Sequence, residues 1–211
     1  MITTHQYLDM YPIRSNSEKL ILGTIHPHDH NNFVIPFFYG NVMSIWKILN
    51  QAFPEELPLP LRLKEILQFL ERRKISVSDT IKQCERIRPT ALDKDLIPLK
   101  LNTGIIDDIR KSNIKEIFFT SGFQKNNAFR LFYIDILGRK ITDEIRKKRQ
   151  VVLDKEIFGR SIVMTILYSP SGSSNIGLSK SKLYLQNREK YINSAKPISD
   201  FKVDYYYEKF R

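Results

Sequence analysis

Short apolar runs that end in glycine, serine or threonine, separated by segments of helical period, most constrain what this chain can fold into. Lys19-Leu20-Ile21-Leu22-Gly23-Thr24 reads as a buried strand closed by glycine. Ile75 to Ile81 reads as a second strand running into a turn, Glu116-Ile117-Phe118-Phe119-Thr120 as a third, and Ile162 to Tyr168 as a fourth. Between them, apolar residues recur at helical spacing: Ile45, Ile48, Leu49 and Ala52 in one segment, Leu63, Ile66, Leu67 and Leu70 in the next. Short helices are expected over Gly104 to Lys111 and Ile141 to Arg149, and longer ones over Gly122 to Leu137 and Leu183 to Asn193. Arg86 to Lys100, with two prolines and no period, predicts a loop, and Phe201 to Arg211 an aromatic, basic tail. Two β-rich runs flank Gly159-Arg160 in the pattern of a hairpin, the second being the core strand. Strands alternating with helices predict an α/β fold of three α/β/α layers around a central, mostly parallel four-stranded sheet.

Length and composition bound the rest. With 211 residues, no linker and no repeat, one α/β domain over 1–211 is expected. No stretch approaches the roughly 20 apolar residues that cross a bilayer, and Met1 to Tyr11 lacks the basic start and apolar stretch of a signal peptide. The single cysteine, Cys84, allows no internal disulfide and cannot alone hold an iron–sulfur cluster or a cysteine-type zinc ion. A cytoplasmic, monomeric protein without membrane contact is the expectation. The formal net charge of +11 favours a polyanionic partner through counterion release.

In parallel sheets the ligand site lies outside the carboxyl ends of the strands. Gly23 to Asp29, Asp79-Thr80, Thr120-Ser121-Gly122 and Ser169 to Ser174 fall there. The first stretch carries His26, His28 and His30, which suit a metal-dependent hydrolase, a polar loop of hydrogen-bonded imidazoles, or a catalytic loop. Phe37, Phe38 and Tyr39 suit either stacking on a base, worth roughly 1–3 kcal/mol, or core packing; Trp46 reads as core. Ser169-Pro170-Ser171-Gly172-Ser173-Ser174 has the small residues and free N–H groups for close approach to phosphate, or is an ordinary turn. Arg139, Lys140, Arg146, Lys147, Lys148 and Arg149 form a solvated basic face or a surface turned to DNA.

Taken in order, these segments resemble the uracil-DNA glycosylase superfamily, most of all its mismatch-specific and deoxyinosine branches. The motifs are Leu20-Ile21-Leu22-Gly23-Thr24-Ile25-His26-Pro27, Phe38-Tyr39-Gly40-Asn41 running to Ile45-Trp46-Lys47-Ile48-Leu49, Ser78 to Arg86, Ile114 to Gly122, and Ser169-Pro170-Ser171-Gly172-Ser173. They span about three quarters of the chain. The resemblance implies hydrolysis of the N-glycosidic bond of a deaminated or mismatched base, such as uracil or hypoxanthine, in base-excision repair. The base would be flipped out of the duplex, and no cofactor or metal would be used. It implies catalytic roles for His26, which stands where relatives carry Asp or Asn before proline, and for Asp29, which could supply the carboxylate instead. It implies base binding by Gly23, Thr24, Phe38, Tyr39, Asn41 and Asp79, and DNA binding by Ser169, Pro170, Ser171, Gly172 and Ser173. A DNA-binding protein of the same fold with an inactive pocket is the alternative.

Overall fold

The computed structural model describes residues 1–88, 90 and 92–211. Pro89 and Ala91, inside the expected 86–100 loop, lie outside the described residues. The strands are β1 (Ile2–Thr4), β2 (Lys19–Gly23), β3 (Ile75–Asp79), β4 (Ile81–Arg86), β5 (Leu96–Leu101), β6 (Glu116–Phe119), β7 (Gln150–Leu153) and β8 (Ile162–Ile166). The helices are α1 (Ser44–Ala52), α2 (Leu63–Arg72), α3 (Ile105–Arg110), α4 (Ala128–Arg130, continued in a wider turn to Ile136), α5 (Asp143–Lys148), α6 (Lys155–Phe158), α7 (Asn175–Ser179), α8 (Lys182–Asn187) and α9 (Pro197–Phe210).

The central sheet runs β3-β2-β6-β8-β7. The first four strands are mutually parallel, and β7 closes one edge antiparallel to β8. These are the four strands expected from the sequence. The fifth comes from the run before Gly159, so the two runs do pair antiparallel, with α6 between them.

Side-chain alternation explains why the sheet needs helices on both faces. On one face Ile21, Ile75, Val77, Phe118 and Leu167 pack against α1, α2 and α9 through Trp46, Leu49, Phe69, Tyr206 and Phe210. On the other, Leu20, Leu22, Ile117, Phe119, Ile162, Met164 and Ile166 pack against α3 to α6 through Ile109, Phe129, Phe132, Ile145 and Phe158. Edge strand β3 interleaves Ser76 and Ser78 with its apolar residues; Ser76 Oγ accepts from Arg14 N–H and meets Ser17 Oγ at 2.7 Å.

A second, antiparallel sheet, β1-β4-β5, was not anticipated. It replaces part of the loop expected over Arg86 to Lys100. The chain leaves the parallel sheet at Asp79, and one residue later β4 begins, with Thr80 N–H donating to Gly23 O (3.0 Å) and Ile81 N–H to Thr24 O (3.0 Å). Since β1 pairs with β4, residue 5 is delivered beside residue 79, and Asp93, just before β5, is brought against Thr24 and Asn127 beyond the ends of β2 and β6. Among the described residues no helix is long and apolar enough to cross a membrane.

Candidate active site

The carboxyl ends of β2, β3 and β6 meet at Gly23, Asp79 and Thr120. Gly23 is required by close approach. A Cβ there would lie 2.2 Å from the Tyr39 hydroxyl and 2.4 Å from Asp79 Oδ1. Tyr39 has a left-handed backbone (φ +58°), a conformation that costs a non-glycine residue energy and recurs at ligand sites. It turns the phenol over Gly23, where the hydroxyl meets Thr120 Oγ1 at 3.0 Å. Gly40, next in the chain, admits no side chain, because a Cβ would strike the Ile35 carbonyl oxygen at 1.8 Å.

Asp79 is buried. Its Oδ2 lies 2.8 Å from His5 Nε2, and Tyr7 and Leu8 N–H both donate to His5 Nδ1. Those two donors leave the ring proton on Nε2, pointing at the carboxylate. Burial pushes the Asp79 carboxyl above the usual range, offset by the hydrogen bonds from His5 and the Gly23 N–H.

A second carboxylate, Asp93, reaches the same place from the turn between β4 and β5. The Thr24 hydroxyl donates to its Oδ1 (2.8 Å) and Asn127 Nδ2 to its Oδ2 (2.8 Å). Burial pushes its carboxyl up too; hydrogen bonds from Thr24, Asn127 and Ser121 counter this, and the neighbouring Asp79 charge adds to the rise. Asn126, itself at φ +61°, ties the Asp93 and Leu96 carbonyls through its Nδ2 and so holds the turn. Burial, then Asp79, then Asp93, keep the Tyr39 phenol protonated far above neutral pH. Three acidic groups that resist ionisation thus surround Thr24 and Gly23. Such clusters of perturbed groups at strand ends are characteristic of functional sites.

His26 is beside this cluster but committed elsewhere. The residue is 4% exposed. Nδ1 donates to the Pro27 carbonyl (2.7 Å) and Nε2 accepts the Gln6 N–H (3.0 Å). Burial holds its pKa down at about 4; the Pro27 carbonyl acts the other way, and His5, His30 and Arg86 reinforce the drop. A neutral ring with both nitrogens engaged has no lone pair for a water proton. Its ring packs 4.7 Å from His5 and 5.2 Å from Tyr7, clamping the N-terminal segment that carries His5. Asp29 lies on the exposed outer turn, accepting from Asn32 Nδ2 (2.7 Å). His28 Nδ1 meets Thr3 Oγ1, and His30 Nδ1 meets the His28 carbonyl. Among the described residues no three His, Cys, Asp or Glu side chains converge to hold a metal ion.

Of the base-binding candidates, Gly23, Thr24, Tyr39 and Asp79 come together. Phe38 is a correction: it is 1% exposed in the core against His5, Tyr7 and Phe37, with no ring face for a base. Asn41 is half-buried in the turn beyond Gly40. Trp46 is core, its indole N–H donating to Phe38 O (2.8 Å). Ser169 to Ser173 leave the end of β8, with Pro170 buried, Gly172 and Ser173 exposed, and the Ser171 and Ser173 hydroxyls 2.9 Å apart. In the basic stretch, Lys148 and Arg139 pair with Glu144 and Glu156. Arg149 instead turns inward at φ +51°, donating to the Ile166 and Leu167 carbonyls, its guanidinium 4.5 Å from the Tyr168 ring centre.

His5, Asp93 and Asn127 carry the cluster, and the sequence reading missed them. His5 precedes the first expected strand, and Asp93 sits in a stretch without period. The runs on either side of Asp93, Ile-Lys-Gln-Cys-Glu-Arg and Leu-Ile-Pro-Leu-Lys-Leu, are charged or broken by proline and gave no signal of a strand-end turn.

No protein-family model matches the chain, nor does any curated protein. Among solved structures, the solution NMR structure of a "putative Uracil DNA glycosylase" from Methanosarcina acetivorans is similar to it. The match has a TM-score of 0.50 at 19% identity and covers 99% of both chains. The likeness is one of fold.

Proposed function

We propose that the protein is a DNA glycosylase that hydrolyses the N-glycosidic bond of a deaminated or mismatched base such as uracil or hypoxanthine. The observation that carries the reading is the pair of carboxylates with raised pKa, buried Asp79 at the end of β3 and half-buried Asp93 just before β5, with the Tyr39 hydroxyl over Gly23 between β2 and β6. The motif order, the net charge of +11 and the fold likeness support it.

In this reading a flipped nucleotide enters over Gly23, at an unstacking cost of a few kcal/mol that is least for a mispaired base. Asp93, held by Thr24 and Asn127, positions a water at the sugar C1′ and takes its proton. A carboxylate whose pKa is raised is the stronger base toward that water. The water oxygen bonds to C1′ as the C1′–N bond breaks, and the electron pair leaves with the base, which is then protonated. Asp79 reads the base, accepting the N–H that uracil and hypoxanthine both carry. Thr24 and Tyr39 line the pocket, and Ser169 to Ser173 approach the DNA backbone. His26 is a positioning residue, not the base, because both its ring nitrogens are engaged. Asp29, exposed on the outer turn, takes no part.

The test is incubation with duplexes carrying one uracil or one hypoxanthine, followed by alkaline cleavage at abasic sites. Strand cleavage at the modified position is expected. Tight DNA binding with no cleavage of any deaminated or mismatched duplex would overturn the enzyme reading in favour of a DNA-binding protein with an inactive pocket.

A further inference from the structure

Beside the Ser169–Ser174 turn, a cleft of about 220 Å³ opens between α1 and the start of α9. Lys47, Gly172, Asn175, Lys196, Asp200 and Lys202 are in its wall. Lys202 is the unusual member, 3% exposed. Its ammonium donates to Ser171 O (3.1 Å), Ser174 Oγ (3.2 Å) and Asn175 Oδ1 (2.6 Å). All three acceptors are neutral. The hydrogen bonds are satisfied, but the charge is not, and a buried cation without an anion carries a heavy desolvation penalty. Burial accordingly depresses its pKa to about 8, with no carboxylate opposing the shift.

The other groups facing the cleft increase the imbalance. Lys47 and Lys196 are exposed at its rim, and neither is in an ion pair among the described residues. Asp200 is the one acid in the wall, and its carboxylate accepts the Ser194 hydroxyl at the outer edge. Asp204, one turn on from Asp200, is held by the Tyr191 hydroxyl at 2.6 Å. Three ammonium groups therefore face one outward carboxylate around a recess that also borders the Ser-Gly turn leaving β8. If bracing that turn were the only role, an uncharged donor would serve without the penalty.

We propose that this cleft binds one phosphodiester of a nucleic acid strand, Lys202 supplying charge from beneath and Lys47 and Lys196 closing on it from the rim. The inference rests on the reading that the protein binds DNA. A diester fits better than a free phosphate on two grounds. The cleft is open, and it continues into the turn at the carboxyl end of β8, the same edge of the sheet as Asp79 and Asp93. A strand running from that site along the turn would bring its backbone past the cleft.

The experiment measures duplex affinity between 50 and 200 mM salt for the wild type and for the Lys47→Gln/Lys196→Gln double variant. Both substitutions are exposed, so the fold is kept, and circular dichroism checks it. Losing one phosphate contact should flatten the slope of log K against log salt by about 0.9, so that the drop in affinity over this range shrinks about three- to fourfold. A second arm follows wild type and Lys202→Met from pH 7 to 9: the wild-type slope should become shallower as Lys202 loses its proton, and the variant should start at the shallower slope and keep it. A third arm titrates inorganic phosphate at constant ionic strength; weak binding that leaves duplex affinity unchanged is expected. A steep wild-type slope that persists unchanged in both variants overturns the cleft alone. Failure of the wild type to bind DNA overturns both the cleft and the function proposed above. Tight inorganic phosphate binding abolished by the double variant, with duplex affinity untouched, overturns the diester assignment.

Discussion

Urea unfolding at a series of pH values between 7 and 4 probes the buried imidazole of His26 directly. In the folded protein its pKa is held at about 4, against an ordinary value of 6.5. Between those values the unfolded chain binds a proton that the folded one refuses, so folding stability falls as pH drops. The contribution is fully present above about pH 6.5 and is lost progressively toward pH 4. A gap of this size corresponds to about 3 kcal/mol, a large part of the 5–15 kcal/mol typical of a domain. Asp79 and Asp93 work the other way: their carboxyls are raised in the fold, so protonating them favours it at low pH. The effect of His26 is therefore isolated by comparison with His26→Gln, whose amide can both donate to Pro27 O and accept from Gln6 N–H but does not titrate. The signal is the fluorescence of Trp46, the sole tryptophan, buried in the core. At pH 7 the variant should be the less stable by about 1 kcal/mol, the cost of imperfect hydrogen bonds. By pH 4 the wild type should have lost about 3 kcal/mol relative to it, so the order inverts. A difference that stays constant from pH 7 to 4 would mean that the imidazole is not buried and neutral as described, and would refute the reasoning.

Gly23→Ala should leave circular dichroism unchanged, because the atoms its Cβ would strike are the ends of two side chains, but glycosylase activity should fall at least tenfold as Tyr39 and Asp79 are displaced. Lys202→Met should change the alkaline pH dependence of stability: the ammonium pKa is about 8 when folded against 10.5 ordinarily, so between pH 8 and 10.5 the wild type should gain up to about 3 kcal/mol relative to the variant in urea unfolding, while both share the loss from buried tyrosines and Cys84 whose raised pKa values oppose ionisation. Phe118→Ala should cost about 3–5 kcal/mol in the same assay, since the ring is 1% exposed at the centre of the sheet and packs 4.8 Å from Phe210, anchoring α9.

The parallel sheet was legible in the sequence because strands buried on both faces must be apolar throughout. Leu20-Ile21-Leu22 and Ile117-Phe118-Phe119 sit between parallel neighbours, and their side chains feed the two helix layers alternately. The small sheet was not legible, since β4 (Ile-Lys-Gln-Cys-Glu-Arg) buries only part of its length and β5 carries Pro98 with several exposed residues. Helix α9 hid for a related reason: its buried residues are Phe201, Lys202, Tyr206 and Phe210, and Tyr205 and Tyr207 blur the apolar stripe. At the site, Gly23, Tyr39 and Asp79 could be read because they lie in or next to ordered motifs. His5 and Asp93 could not, because only the unforeseen β1-β4-β5 sheet carries them to the strand ends. His26 follows β2 directly, in the loop where the sequence pointed to a catalytic group, but a sequence does not reveal that Gln6 N–H and Pro27 O take both ring nitrogens.

Single-turnover release of uracil or hypoxanthine from duplex DNA, measured for the wild type beside Asp93→Asn and Asp29→Asn, tests the central claim most directly. The account predicts base release by the wild type and a fall of about 10²–10⁴-fold for Asp93→Asn, the range for loss of a general acid–base group. DNA affinity should change little in that variant, and Asp29→Asn should cleave at the wild-type rate. No base release by the wild type, or an Asp93→Asn protein that cleaves as fast as the wild type, would contradict it.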